Sequence, residues 1–492
     1  MTNSTLKSRN KIIGGFLWRF FGRCGSQVIT FVVSIVLARL LLPEAYGTVA
    51  LLHVFTNLLG VFVDSGMGTA LIQKKNADTI DFSTLFFFNL SACLVLYALM
   101  FVCAPAIANF YHRPELTAMV RVVSLTLLIS GVKNIQQSYI SRNLLFKKLF
   151  IATLCANCCS AVVGIVLAYR GCGAWALVTQ SLCYQAISTI VLWLTVEWRP
   201  TLAFSWQRLG GLFQYGWKLL ISKLLDKGYM ELRSLIIGRK YSAEDLAFYN
   251  RGHHLPGVAL DAINESIDSV LFPTMSARQD EPKQVRVITR RSITTSCYLI
   301  FPLMCGLAAC AEPMIRLLLG TKWLPAVPYL RIMCFAYAFY PVHTANLNAI
   351  KAMGRSDLFL YLEIVKKIIG LIAVLVTMWI SVMAMAYSII FTTVLSQVIN
   401  SYPNWKLLNY RYFDQMKDIL PSIVLSCAMA LAVYGVQFLG LNDWLTLGLQ
   451  IPLGAAVYLG GSWLFRLEAF QYLVELAGRA LKARRGSAPS ET

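Results

Sequence analysis

The stretch GWKLLISKLLDKGYMELRSLIIG, residues 216–238, is long enough to cross a bilayer as one helix, because about 20 residues suffice. It nevertheless carries six charged side chains: Lys218, Lys223, Asp226, Lys227, Glu231 and Arg233. A single charge at bilayer depth costs about 2.5–3.5 kcal/mol on insertion scales. A membrane helix therefore keeps six charges only where it can direct them away from lipid.

The whole chain has the composition of a membrane protein. Of its 492 residues, 57% are hydrophobic and only 14% are charged, which is too little polar surface for a soluble protein of this length. Apolar segments near membrane length recur from end to end, and they predict an all-α polytopic membrane protein with about 14 transmembrane helices. The predicted spans are 12–38, 45–65, 83–105, 117–138, 150–169, 174–195, 213–238, 247–272, 293–312, 327–349, 360–380, 384–403, 418–439 and 444–465.

The distribution of lysine and arginine predicts the orientation of these spans. The N-terminus, the loops after even-numbered spans and the C-terminal tail hold 25 of the 44 basic residues, whereas the loops after odd-numbered spans hold 7. By the positive-inside rule, both termini are cytoplasmic. The net charge of +20 is thus mainly a topology signal, and basic residues spread over many short loops do not favour nucleic-acid binding.

An internal repeat divides the chain. ARLLLPEAYG at 38–47 is echoed by GRKYSAEDLA at 238–247, and MVRVVSLTL at 119–127 is echoed by YLRIMCFAY at 329–337. Chance similarity between apolar sequences is the alternative. Because six spans separate the copies, we expect a parallel pseudo-repeat of two six-helix lobes. The predicted divisions are an N-lobe at 1–212, a C-lobe at 213–403, helices 13 and 14 at 404–466, and a cytoplasmic tail at 467–492.

Polar residues line up along one side of four predicted helices. Each residue advances about 100° around a helix axis, so the seventh span keeps an apolar arc that its six charges avoid. The first, second and eighth spans carry similar polar stripes. The stripe residues are Arg19, Arg23, Gln27, Thr30 and Ser34 in span one, His53, Asn57 and Asp64 in span two, and Arg251, His254, Asp261, Glu265 and Asp268 in span eight.

Spans one and two are the repeat-equivalents of spans seven and eight, so the four stripes predict a water-filled cavity between the lobes. Salt bridges between neighbouring helices are the structural alternative for any single residue. The candidate substrate-binding cations are Arg19, Arg23, Lys218, Lys223, Lys227, Arg233 and Arg251. The candidate ion-coupling residues are Asp64, Asp226, Asp261 and Glu265. The pattern predicts no metal site.

Several stretches resemble a known family: LARLLLPEAYG, ALIQKK, QSYISRNLLFKKL, SVLFPTMSARQDE and LLLGTKWLPAVPYLRIM. Together they resemble the Wzx-type polysaccharide flippases, in the colanic-acid and teichuronic-acid exporter branch of the multidrug/oligosaccharidyl-lipid/polysaccharide exporter superfamily. The resemblance implies two six-helix lobes around a V-shaped cavity lined by helices 1, 2, 7 and 8. It also implies a substrate, an oligosaccharide unit on undecaprenyl diphosphate that crosses the bacterial inner membrane by alternating access.

Cationic side chains suit this substrate, because they make charge-assisted hydrogen bonds to a diphosphate. The sequence has no G-x-x-x-x-G-K-[ST] loop, so we expect an H⁺ or Na⁺ gradient, not ATP or another cofactor, to drive transport. The expected partners are the lipid-linked oligosaccharide, membrane lipids, a polysaccharide polymerase and glycosyltransferases.

Two other functions are weighed against this one. A cation-coupled multidrug antiporter of the same superfamily predicts an acidic cavity, but the lining spans carry seven Lys and Arg against six Asp and Glu. A membrane glycosyltransferase or polymerase predicts a long loop or a D-x-D metal site. No two aspartates here are two residues apart, and no predicted loop exceeds about twenty residues, so we expect no enzymatic activity.

Overall fold

The structure is a computed structural model that describes residues 25–64, 67–74, 77–475 and 478. The secondary structure of the described residues is helical, and none of these residues forms a β-strand. In the first half they are α1 (Gly25–Leu40, its described part), α2 (Pro43–Asp64), α3 (Met67–Gln73), α4 (Thr79–Phe110), α5 (Leu116–Val123), α6 (Leu125–Asn143), α7 (Phe146–Tyr169), α8 (Ala174–Thr195) and α9 (Trp206–Lys240).

The second half continues in the same way. Its helices are α10 (Ala243–Ser276), α11 (Pro282–Ala309), α12 (Ala311–Leu318), α13 (Ala326–Ala338), α14 (Tyr340–Ala352), α15 (Ser356–Thr377), α16 (Val382–Leu408), α17 (Tyr412–Gly435), α18 (Asp443–Leu464) and α19 (468–475, its described part). Short 3₁₀ turns cover Thr321–Trp323 and Val436–Leu439. The predicted all-α fold is confirmed over the described residues.

Nine helical segments of the described residues are long and apolar enough to cross a membrane. They are Pro43–Val63, Thr79–Phe110, Leu116–Asn143, Phe146–Tyr169, Ala174–Thr195, Pro282–Ala309, Val382–Leu408, Tyr412–Leu439 and Asp443–Leu464. Such a set identifies a multi-pass membrane protein. The total of fourteen spans and the cytoplasmic placement of the termini remain predictions.

The two most highly charged predicted spans form the two longest helices among the described residues. α9 has 35 residues and α10 has 34, each well beyond the roughly 20 that a bilayer requires. The predicted spans 213–238 and 247–272 lie inside them. Because of their charges, α9 and α10 are not among the nine apolar segments. Each is long enough to cross a membrane but lacks the apolar composition of an ordinary transmembrane helix.

The fourth span of each predicted repeat is a broken helix. α5 gives way to α6 at Ser124, whose hydroxyl donates to the Val120 carbonyl at 2.6 Å and so competes with the helical hydrogen bond. α13 gives way to α14 at Phe339, where Pro341 in the first turn of α14 cannot donate a backbone N–H. The two broken spans begin at Leu116 and Ala326, at the 210-residue spacing of the second sequence echo.

Packing divides the chain into two compact units, one ending at Ala247 and the other beginning at Phe248. In the first unit, α4, α6 and α8 share an aromatic core. The Trp198 ring, just after α8, lies 5.7 Å from Phe82, 6.2 Å from Phe86 and 6.2 Å from Tyr139, measured between ring centroids. These contacts fix the end of α8 against α4 and α6.

The start of α9 is bonded to the same unit. Asp78 is the N-cap of α4, and its Oδ1 lies 2.5 Å from Nη1 of Arg208 in α9. Arg208 also reaches Asp81 at 3.3 Å, and Asp81 accepts from Lys74 at 2.7 Å. The Arg208 guanidinium holds the pKa of Asp78 below its ordinary value, because the hydrogen bond favours the carboxylate. Both aspartates also favour the positive end of α4.

In the second unit, α11 packs against α17, and α13 and α14 pack against α16. A fully buried amide and hydroxyl network joins three helices: Asn346 of α14 donates to Gln415 of α17 at 2.8 Å, and Asn404 of α16 donates to Asn346 at 2.7 Å. Ser401 adds a hydrogen bond to Gln415 at 3.1 Å. Buried polar groups that satisfy one another define a specific packing.

The contact-based units and the predicted lobes divide the chain at different places. The predicted boundary falls between residues 212 and 213, whereas α9, which lies after it, packs within the first unit. A Cβ on Gly238 of α9 would lie 2.0 Å from Leu51 Cδ2 of α2, so the two helices approach closely there. A sequence repeat reflects the order of the helices and not which helices are in contact. The lobe boundary between residues 212 and 213 therefore remains a prediction.

Candidate functional site

The charged side chains of α9 are the centre of the candidate site. Ser205 caps the helix by accepting from the Arg208 backbone N–H, and Arg239 and Lys240 occupy the last turn, where cations favour the helix dipole. Between these ends, the helix is continuous through all six charges of the opening stretch. Their positions around the helix therefore follow the 100° rotation per residue.

One polar stripe of α9 contacts α2. Asn57 of α2 donates from Nδ2 to Oε1 of Glu231 at 3.0 Å, and Lys227 Nζ lies 3.3 Å from the same oxygen. The Glu231 side chain is 16% exposed and that of Lys227 is 37% exposed, so the pair lies at the edge of a packed surface. The structure thus brings together polar residues of the second and seventh predicted spans.

A second stripe of α9 faces elsewhere. Arg233 lies about 20° from Asp226 around the helix axis, but about 120° from Lys227. Lys223 lies between them, about 40° from Lys227 and about 80° from Arg233. Lys223 and Asp226 are exposed, and Arg233 is half-buried. Arg233 and Asp226 are therefore on a different side of the helix from the Glu231 contact with α2.

Arg233 holds an unusual position within this second stripe. Its Nε and Nη2 atoms are buried, and neither has a hydrogen-bond partner among the described residues. A buried donor without a partner costs about 1–3 kcal/mol, and more on a charged group. An anionic ligand that accepts from both nitrogens removes this cost, so Arg233 is suited to bind a phosphate or carboxylate.

The stripe predicted on α10 is not uniform. Asp261 and His254 are exposed, as a cavity lining requires. Arg251, in contrast, is 8% exposed, and its Cζ lies 5.0 Å from the ring centroid of fully buried Trp323. Such a cation–π contact stabilises packing. We therefore leave Arg251 out of the substrate site that we propose below.

Five of the predicted residues cannot be placed by their side chains. Arg19 and Arg23 lie outside the described residues. The backbone of α2, α9 and α10 is described at Asp64, Lys218 and Glu265, but their side chains are not. In the part of the chain that the structure describes, no three His, Cys, Asp or Glu side chains are grouped to hold a metal ion.

Sequence reasoning missed the role of Glu231. The residue was counted among the charges of span seven but was not proposed as part of the site. It nevertheless joins Lys227 and Asn57 through one carboxylate oxygen. The i,i+4 spacing of Lys227 and Glu231 was the available signal, because residues four apart are neighbours on a helix surface.

Known proteins similar to this chain are named for the biosynthesis of cell-surface polymers. A family model described as "Polysaccharide biosynthesis protein" matches residues 36–328. Teichuronic acid biosynthesis protein TuaB of Bacillus subtilis (strain 168) is 25% identical over 408 residues, covering 81% of this chain and 84% of the relative. Lipopolysaccharide biosynthesis protein WzxC of Escherichia coli (strain K12) is 22% identical over 416 residues, covering 84% and 82%.

A solved structure shares the fold. The inward closed conformation of the lipid II flippase MurJ superimposes with a TM-score of 0.75 at 14% identity, covering 93% of this chain and 100% of that chain. At this identity the likeness concerns the fold alone. It shows that the helices described above are arranged in a known fold.

Proposed function

Because this chain belongs to the family of polysaccharide biosynthesis proteins, we propose that it is a flippase for lipid-linked oligosaccharide repeat units. The observation that carries the proposal is the family match over residues 36–328, which includes α2, α9 and α10. The proposed substrate is an oligosaccharide on undecaprenyl diphosphate, destined for lipopolysaccharide, capsule or exopolysaccharide. Transport proceeds by alternating access, with the site open to one side of the membrane at a time.

The diphosphate is the part of this substrate that most needs the protein. It is a dense anion that must leave the headgroup layer, and charge-assisted hydrogen bonds offset the loss of its hydration. Arg233 supplies two N–H donors that have no partner among the described residues, and Lys223 lies on the same side of α9. We assign these two residues to diphosphate binding, with Arg19, Arg23, Lys218 and Lys227 as further cations of the site.

Transport needs an energy source, and we propose an H⁺ or Na⁺ gradient. Asp226 and Asp261 are exposed carboxylates on the two charged helices, which supports their assignment as ion-coupling residues. Asp64 and Glu265 belong to the same proposal on the basis of their positions in the sequence. A carboxylate that alternates between a free and an ion-bound form changes the charge of its surroundings by one unit.

We propose the bacterial inner membrane as the location, with fourteen spans in two six-helix lobes plus two C-terminal helices, and with both termini in the cytoplasm. Polysaccharide polymerase and glycosyltransferases are the proposed protein partners. The two broken fourth spans begin at Leu116 and Ala326, 210 residues apart, and this spacing supports the repeat. The excess of Lys and Arg on one set of loops supports the orientation.

A multidrug antiporter is the alternative function, and an enzyme is the less favoured one. The relatives are named for polymer biosynthesis, and the solved structure with the same fold is a lipid II flippase, which together favour transport over catalysis. Substrate class separates the two transport functions. Deletion of the gene should stop export of a cell-surface polymer if the chain is a flippase, and should increase drug sensitivity with export intact if it is an antiporter.

The test of the proposed site replaces one arginine. In a strain that lacks the chromosomal gene, wild-type protein should restore polymer export, whereas Arg233→Ala should leave lipid-linked oligosaccharide in the membrane and polymer absent from the surface. Arg170→Ala, on an exposed arginine of the loop between α7 and α8, is the matched control and should export normally. Normal export by Arg233→Ala at wild-type protein abundance would remove Arg233 from the site.

A further inference from the structure

Two buried or half-buried bases lie at corresponding positions of the broken fourth spans. Lys133 of α6 and His343 of α14 are 210 residues apart, the same spacing that separates the starts of the two broken spans. Lys133 is 8% exposed, and His343 is half-buried. Neither residue belongs to the charged stripes of α9 and α10. A titratable residue inside a membrane helix is expensive to keep, which makes it a candidate for function.

Each base is bonded to an amide of the sixth span of its own half. Lys133 Nζ donates to Gln185 Oε1 of α8, and the Tyr184 ring centroid lies 5.8 Å from the same nitrogen. The Asn400 amide of α16 lies 3.1 Å from His343 Nδ1. The same pair of helices thus holds the same kind of contact in both units.

An amide partner can serve a base in both of its protonation states. A neutral amine still donates to Gln185 Oε1, so the Lys133 contact survives loss of a proton. As placed, Asn400 donates from Nδ2 to His343 Nδ1. Asn400 Oδ1 is buried without a hydrogen-bond partner among the described residues, and a flip of this amide would present it to a protonated imidazole.

Few charges act on either base in the part of the chain that the structure describes. Among the helices in contact with α14, α15 supplies Lys366, which is paired with Glu363 at 2.6 Å, and α10 accepts a hydrogen bond from Thr344 at Asn264 at 2.9 Å. No charge from the described side chains of α10, α11, α13 or α16 acts on His343. On α6, no charged group of α2, α3, α4, α5, α7 or α8 acts on Lys133, and Tyr184 is the titratable neighbour. Neither base forms a salt bridge with a carboxylate among the described residues, so a change in the protonation of either base breaks no ion pair.

We propose that Lys133 and His343 are a repeat-related pair of proton-binding sites, one in each half, through which a proton gradient acts on the broken fourth spans. The proposal rests on the proposed function, since it supplies the ion for that transport. The proton binds to Lys133 Nζ or to His343 Nδ1 on one side of the membrane and leaves on the other. The break at Ser124 or Phe339 is the flexible point that the change of hydrogen bonding would affect.

The experiment measures polymer export in cells held at an external pH equal to the cytoplasmic pH, where the pH gradient is zero, and in cells held one pH unit lower outside, with the membrane potential followed by a voltage-sensitive dye. One pH unit is worth 1.36 kcal/mol per proton, or about tenfold in the equilibrium that it drives. Wild-type export should therefore fall by up to about tenfold when a gradient of one unit is removed. Lys133→Gln and His343→Gln should export equally slowly with and without the gradient.

Matched controls and a second variant complete the test. Lys417→Gln and His112→Asn alter exposed residues and should respond to the gradient like the wild type. Lys133→Arg keeps a fixed charge and should also lose the response, which tests the site should Lys133→Gln fail to accumulate. A full response in Lys133→Arg or His343→Gln overturns the proposal, as does wild-type export that ignores the gradient. Normal export after deletion of the gene refutes the proposed function instead.

Discussion

At the scale of single residues, the contact of Lys227 with Glu231 raises the question of what the cation does. The Lys227 ammonium lies 3.3 Å from the Glu231 carboxylate, which also accepts from Asn57. Lys227 either neutralises Glu231 or binds substrate with its remaining donors, since an ammonium has three. Both roles predict loss of export in Lys227→Ala, so the single variant does not separate them.

A double-mutant cycle separates them. If Lys227 binds substrate, Lys227→Ala/Glu231→Ala should export as poorly as Lys227→Ala alone, because the cation is still missing. We expect this result, with Glu231→Ala alone losing less. Polymer on the cell surface, measured at equal protein abundance, is the readout. Recovery of export in the double variant would mean that Lys227 only balances the charge of Glu231.

Rotation along a helix predicts which polar residues share one side of it, and one contact between two such stripes is present in the structure. The stripes of α2 and α9 meet through Asn57 and Glu231, as two facing polar stripes should. Rotation alone also placed Arg251 on a stripe, but the residue is buried against Trp323, which lies 72 residues later. Helical periodicity cannot show which part of a stripe a distant segment covers.

At the scale of helices, the two halves of the first sequence echo pack against each other. A Cβ on Gly47 of α2 would lie 1.6 Å from the carbonyl oxygen of Ala243, the first residue of α10. We therefore expect Gly47→Ala to destabilise the protein by about 1–3 kcal/mol, the usual cost of overpacking. The midpoint of thermal unfolding of the purified protein in detergent should fall accordingly.

Gly60→Ala, on the same helix, is the control for this prediction. Among the described residues, no atom beyond its chain neighbours and the nearby backbone of its own helix lies within 4 Å of the position that its Cβ would take, so the substitution should be neutral or stabilise by about 0.5–1 kcal/mol. Equal midpoints for Gly47→Ala and wild type would mean that α2 and α10 can separate at this point without cost. The sequence revealed the echo through its residue types, but not the contact, which depends on side-chain volume at one position.

At the scale of the whole molecule, composition was sufficient to predict the class, because apolar residues repeat at membrane length throughout the chain. It was not sufficient for the packing of α9. This helix joins the first unit through pairs such as Gly238 with Leu51 and Arg208 with Asp78, which are more than a hundred residues apart. A hydropathy profile describes each segment separately, so it cannot predict contacts between residues that are this far apart in the sequence.

Orientation follows from charge alone, and it gives the last prediction. The loops after odd-numbered spans hold 7 Lys and Arg, against 25 on the other side, so the positive-inside rule places the odd loops in the periplasm. A reporter enzyme that is active only in the periplasm should therefore be active when fused after Arg170 or Lys240. It should be inactive when fused after Gln279 or Asn409, or after the C-terminal residue.

The two fusions at the ends of α10, after Lys240 and after Gln279, are the ones that bear on the proposed function. If Lys240 is periplasmic and Gln279 cytoplasmic, α10 crosses the membrane despite its charges. A fusion after Arg199, in the segment before α9, should then be inactive, which makes α9 a span as well. Reporter activity at both Lys240 and Gln279, or at neither, would place α10 on one side. Its charges would then need no hydrated path, and the proposed ion-coupling role of Asp261 and Glu265 would be refuted.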